Sequence, residues 1–113
     1  MKAILFISSI LLAFGITLSS WTAPEKKTIE FSVNGNCEMC KRKIEGALSI
    51  KGVRAAEWDI NTKRVKVVYV PSVISEDQIH QAIADSGYDT DQVKAKDEVY
   101  EKLHTCCLYR NEK

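Results

Sequence analysis

Residues 27–48 read K-T-I-E-F-S-V-N-G-N-C-E-M-C-K-R-K-I-E-G-A-L, and their periodicity changes halfway. Ile29, Phe31 and Val33 alternate with Thr28, Glu30 and Ser32, the period of two that marks a strand with one buried face. Asn34-Gly35-Asn36 breaks that strand. From Cys37 onward the apolar positions Cys40, Ile44, Ala47 and Leu48 recur at helical spacing as far as about Ser49, so the first helix starts at the cysteines.

The same reading extends outward. Lys51-Gly52 stops the helix, after which Ala56, Trp58 and Ile60 alternate with Glu57 and Asp59. The chain turns through Asn61-Thr62-Lys63, and Val65, Val67 and Tyr69 complete a hairpin ended by Pro71. Ser75 with Gln78 three positions on is a capping-box pattern, with Glu76 and Asp77 at the positive end of the helix dipole. Ile79, Ala82 and Ile83 form the buried stripe of this second helix, which leaves His80 on its solvent side, and Gly87 stands where a left-handed cap is needed. A short last strand is expected over Thr90 to Lys94, carrying Val93. Trp58 and Phe31 are expected in the core.

The order strand, helix, strand, strand, helix, strand predicts an α+β fold. With right-handed crossovers the two halves interleave into a ferredoxin-like βαββαβ sandwich, a four-stranded antiparallel sheet with both helices on one face. This domain spans 26–94. Residues 95–113 are a C-terminal extension with a short helical pattern at Val99 and Leu103, ending in the pair Cys106-Cys107.

At the other end, Lys2 precedes an apolar run from Ala3 to Leu18 and the small polar pair Ser19-Ser20. About 16 apolar residues fall short of the roughly 20 of a spanning helix, so residues 1–20 read as a signal peptide for export, expected to be periplasmic. The alternative is an uncleaved N-terminal membrane anchor; after cleavage no stable membrane insertion is expected.

The 113 residues carry a formal net charge of +1 and four cysteines, room for one small domain and too little for a multi-domain enzyme. Lys2 is the only charge in the leader, so 16 basic residues become 15 against 15 acidic ones in the mature chain. That neutrality argues against a nucleic-acid binder held by phosphate contacts.

Chemistry concentrates at Cys37-Glu38-Met39-Cys40. Two thiols three positions apart at a helix start can turn toward one point, which suits a soft thiophilic cation. The helix N-terminus lowers thiol pKa, and Lys41, Arg42 and Lys43 add positive charge close by. Two thiolates satisfy Cu(I) or Hg(II), whereas structural zinc takes four ligands. The rival reading is a thiol-disulfide oxidoreductase, for which Cys-x-x-Cys at a helix start is also a signature. Against it, the flanks differ from Trp-Cys-Gly-Pro-Cys, and Pro71 follows a hairpin strand, the wrong context for the proline that faces such a site.

Val33 to Leu48, Gly52-Val53 after the first helix and Ser86-Gly87-Tyr88 after the second resemble the heavy-metal-associated domain family, over about Lys27 to Lys94. That family includes copper chaperones, the amino-terminal domains of copper-exporting ATPases and periplasmic mercuric-ion-binding proteins. The resemblance implies metal held by Cys37 and Cys40 and passed on by ligand exchange to a membrane metal transporter or another metal-accepting protein. It also implies that Tyr88 lies near the metal. The expectation is therefore a non-catalytic, exported carrier of Cu(I) or Hg(II), open to other soft ions, acting as a monomer or a metal-bridged dimer.

Two features depart from the family pattern. Gly35 stands where methionine is usual, leaving Met39 to supply apolar contact, and Asn36 replaces the aspartate that would favour zinc or cadmium. The second departure is Leu103-His104-Thr105-Cys106-Cys107. One reading folds this tail back over roughly 15 to 20 Å, offering Cys106, Cys107 or His104 as auxiliary ligands. The other makes a disulfide within the tail or between chains, as an oxidising compartment favours.

Overall fold

The computed structural model describes residues 24–111; the leader at 1–20 lies outside them. The elements are β1 (Lys27–Ser32), α1 (Glu38–Ala47), β2 (Val53–Asp59), β3 (Arg64–Tyr69), α2 (Glu76–Asp85) and α3 (Asp97–Glu101), followed by 3-10 turns at Thr105–Cys107 and Tyr109–Asn111. No helix among the described residues is long and apolar enough to cross a membrane.

The alternation read from the sequence sets which face of the sheet is buried. Phe31 pairs with Val65 and Trp58 with the same Val65, so these side chains line one face, while Glu30, Lys66 and Glu57 line up across the exposed one. Ile44 and Leu48 of the first helical segment and Ile79 and Ile83 of α2 close over the apolar face and share one core with it. The capping box forms as expected: Gln78 N–H donates to Ser75 Oγ at 3.2 Å, and Ser75 N–H donates to Gln78 Oε1 at 2.9 Å. Gly87 takes φ 106°, the left-handed conformation that ends α2.

Among the described residues the sheet differs from expectation in having three strands, ordered β1-β3-β2 and antiparallel throughout. Where the fourth strand was expected there is a single antiparallel bridge, Val33 to Thr90. The cause is the threonine. Thr90 N–H donates to Val93 O at 2.8 Å, and Thr90 Oγ1 accepts from Val93 N–H at 2.9 Å and Gln92 N–H at 3.2 Å. These groups close a tight turn, so the chain leaves the β1 edge after one residue instead of running along it.

His80 also departs from expectation, being fully buried rather than solvent-facing. Its ring stacks on Phe31 with centroids 3.8 Å apart, and Nδ1 lies 2.7 Å from Thr90 Oγ1. Nε2 has no hydrogen-bond partner. Burial lowers its pKa against the upward pull of Asp91, Glu76 and Asp77, because desolvation penalises the imidazolium.

The tail belongs to the core. Tyr100, Leu103, Cys107 and Tyr109 are buried in the same apolar cluster as the sheet and helices. Tyr109 fastens the return: its hydroxyl donates to Gly87 O at 2.9 Å and accepts from Asp89 N–H at 2.8 Å. Arg110 clamps the end, donating to both Asp89 carboxylate oxygens at 2.8 and 3.2 Å, to Ala95 O at 2.8 Å and to Asp97 at 3.0 Å. Its guanidinium sits 4.2 Å over the Tyr100 ring.

Candidate metal centre

Cys37 is the N-cap residue of α1, in extended conformation and half-buried, with its thiol turned toward the other three cysteines. Cys40 lies one turn on, fully buried, with its thiol donating to Asn36 Oδ1 at 3.1 Å. The two sulfurs are 3.4 Å apart.

Beneath the loop, Trp58 takes up the space left by the missing methionine. A Cβ on Gly35 would stand 3.0 Å from the indole and 3.2 Å from Cys40 Cβ. The indole is wholly buried and its Nε1–H donates to Val33 O at 3.0 Å, which ties the strand end under the loop. Met39 packs against the core from inside the motif, as the sequence reading expected.

The returning tail brings the second cysteine pair to the first. Cys37 Sγ lies 3.6 Å from Cys106 Sγ and 3.7 Å from Cys107 Sγ. All four cysteines are free thiols, and Cys106 and Cys107 keep their sulfurs 3.9 Å apart. The adjacent side chains diverge: Cys107 is buried and Cys106 exposed. The sulfurs of Cys37, Cys40 and Cys107 all lie within 4.8 Å of one another. Cys106, on the exposed side of Cys37, also approaches Met39 Sδ at 3.8 Å and His104 Nδ1 at 3.9 Å, placing His104 on the outer side of the cluster.

Burial works to raise the Cys37 pKa, but the Cys40 backbone N–H and the thiols of Cys40, Cys106 and Cys107 prevail and bring it down to about 7. The helix start therefore acts through one identifiable amide of its first turn. The basic run was expected to share this role. Lys41, however, is committed elsewhere, to Glu45 at 2.6 Å and to Trp58 O at 2.9 Å. Burial pushes the Cys107 thiol up, reinforced by Cys40, and hydrogen bonding to Cys37 pushes Cys106 up. Cys37 therefore ionises before Cys106 and Cys107.

Tyr88 is fully buried under the cluster, stacked on Tyr109 at 5.9 Å. Burial, and then the neighbouring Cys107 and Cys40, raise its pKa, so the phenol stays protonated. Its hydroxyl has no partner of hydrogen-bonding geometry even though both thiols are near. Tyr109 and Arg110, which hold the tail in place, are not singled out by the sequence, because their partners Gly87 and Asp89 lie about 20 positions away.

A small α+β domain with a thiol cluster at the start of its first helix defines a class of soft-cation-binding modules. The chain belongs to the heavy-metal-associated domain family, whose family model matches residues 30–89. It is 38% identical over 55 residues to the copper chaperone CopZ of Staphylococcus haemolyticus, covering 48% of this chain and 81% of that one. It is 41% identical over 71 residues to a zinc-transporting ATPase of Synechocystis sp., 61% of this chain but only 10% of the ATPase. Among solved structures, oxidised MerP from Ralstonia metallidurans CH34 matches with a TM-score of 0.56 at 25% identity, over 59% of this chain and 96% of MerP. A CopZ metallochaperone matches at 0.55 and 35% identity, over 57% and 98%. The family thus includes chaperone-type metal-binding proteins and domains of metal-transporting ATPases.

Proposed function

We propose that the protein is a non-catalytic carrier that holds a soft metal ion, Cu(I) or Hg(II), between the thiolates of Cys37 and Cys40 and passes it to a membrane transporter or another acceptor. The observation that carries this reading is the placement of the two sulfurs 3.4 Å apart at the head of α1, with Cys37 ready to ionise near neutral pH. Cys37 stands partly exposed, where an incoming thiolate can attack, while Cys40 is anchored in the core. Ion transfer then proceeds by replacing one sulfur at a time. Soft thiolates select monovalent copper and mercury over harder ions, and Asn36 beside the pair adds no carboxylate that would favour zinc. The apolar run at residues 3–18 supports export, which puts the carrier outside the cytoplasm, where incoming toxic or nutrient ions are met first.

The test is anaerobic Cu(I) competition against a chromogenic chelator. Reduced wild type should retain one ion per chain against the chelator, and Cys37→Ser and Cys40→Ser should each release it. Full retention by both variants would overturn the proposal.

A further inference from the structure

The tail supplies donors that a two-thiolate carrier does not need, and their arrangement is specific. A metal–sulfur bond of about 2.3 Å, the length thiolates make to zinc, places two sulfurs about 4.6 Å apart in linear coordination and three about 4.0 Å apart in trigonal coordination. Cys37 and Cys40 stand at 3.4 Å and Cys37 and Cys107 at 3.7 Å, with all three within 4.8 Å. Trigonal binding needs the first pair to open by roughly half as much as linear binding does.

Resting on the reading of Cys37 and Cys40 as the carrier pair, we propose that Cys107 is a built-in third ligand, so that the C-terminal tail closes the site into a trigonal thiolate centre. Cys106, although its sulfur lies 3.6 Å from Cys37 Sγ and 3.9 Å from Cys107 Sγ, is exposed and is not part of the triangle that the two buried thiols Cys40 and Cys107 form with Cys37. It faces solvent beside Met39 and His104, on the side from which an acceptor's thiolate arrives.

Tyr88 supplies an independent argument. Its wholly buried hydroxyl has no hydrogen-bond partner, although Cys40 and Cys107 are its neighbours. A coordinating thiol loses its proton outright. Metal-bound Cys40 and Cys107 would offer that hydroxyl anionic acceptors and so complete its buried polar pairing.

The fold also explains how a ligand 67 residues after Cys40 is held in register. Tyr109 bonds to Gly87 and Asp89, on either side of Tyr88, and Arg110 bonds to Asp89. Handover then requires an acceptor to displace Cys107 as well as one helix thiolate. The tail sets the release rate, making the chain a retaining carrier rather than a freely exchanging one.

The experiment loads the reduced full-length chain with one equivalent of Cu(I) and counts sulfur neighbours by X-ray absorption. Wild type, Cys106→Ser, Cys107→Ser and Cys107→Ala are compared, with circular dichroism confirming that each is folded. The expected result is three sulfurs in wild type and Cys106→Ser and two in both Cys107 variants. Transfer to a chelator should be at least about tenfold faster from the Cys107 variants, since removing even an outer-shell partner of a ligand costs about 10–100-fold in metal affinity. Two sulfurs in wild type, three retained without Cys107, or a loss on removing Cys106 instead would overturn the third-ligand proposal and leave the carrier reading intact. Failure of wild type to hold Cu(I) at all would overturn both.

Discussion

Replacing Arg110 with alanine should loosen the tail while leaving the Cys37–Cys40 pair in place. Arg110 makes four side-chain hydrogen bonds, of which the two to Asp89 matter most, since the Asp89 side chain is only 13% exposed. The contact to Asp97, 77% exposed, adds little because water screens it. A hydrogen bond to a charged group contributes about 1.5–3 kcal/mol, and the truncated variant also leaves Asp89 with Ala95 N–H as its only remaining side-chain partner. A net loss of about 2 kcal/mol in tail docking follows, which raises the open population roughly 30-fold. Cys107, fully buried when the tail is docked, reports that opening. In a Cys106→Ser background, the rate of Cys107 modification by a maleimide, followed by mass spectrometry at peptide level, should rise by about that factor. Arg110→Lys should fall between, because an ammonium cannot reproduce the two-pronged contact. A rate within about threefold of wild type in the alanine variant would refute the clamp, since such a change corresponds to less than about 0.7 kcal/mol.

Three further outcomes follow from the same contacts. Cys37 should be alkylated by iodoacetamide with a midpoint near pH 7, and Cys40→Ala, which removes the side-chain donor, should move it upward; a wild-type midpoint at the free-thiol value of about 8.5 would contradict the described hydrogen bonding. Gly35→Met should cost about 1–3 kcal/mol in thermal denaturation by pressing on Trp58, and Trp58→Ala should cost less in that background than alone; strict additivity would show that the two positions do not share space. His80 is held neutral by burial, so below its ordinary pKa of 6.5 the unfolded chain takes up the proton first and stability falls with pH. Between about pH 7.5 and 5.5 the melting temperature of wild type should therefore drop more than that of His80→Phe; equal drops would dismiss the histidine as the cause.

The sequence by itself determined every element whose signal is local. The period of two in β1 and the hairpin, the capping box at Ser75, the left-handed Gly87 and the start of α1 at Cys37 depend on residues within a few positions of one another, and each is found where the pattern puts it. The Cys37–Cys40 pair was legible for the same reason, since three positions at a helix start bring two side chains together without help from the rest of the chain. What only the tertiary structure decided involves groups far apart in sequence or in competition. Thr90 had to choose between a ladder along β1 and a turn closed by its own hydroxyl, and periodicity cannot weigh those hydrogen bonds. His80 was misread because the turn at Thr90 and the ring of Phe31 cover the helix face that the apolar stripe leaves open. Lys41 turned from the cysteines to Glu45 and the Trp58 carbonyl, a choice made by β2 packing alongside α1. Above all, the approach of Cys107 to Cys37 across 70 positions rests on Tyr109 and Arg110 finding Gly87 and Asp89. Sequence supplies the donors, but their meeting depends on the closure of a long loop, whose entropy is offset only by contacts that exist once the core has formed.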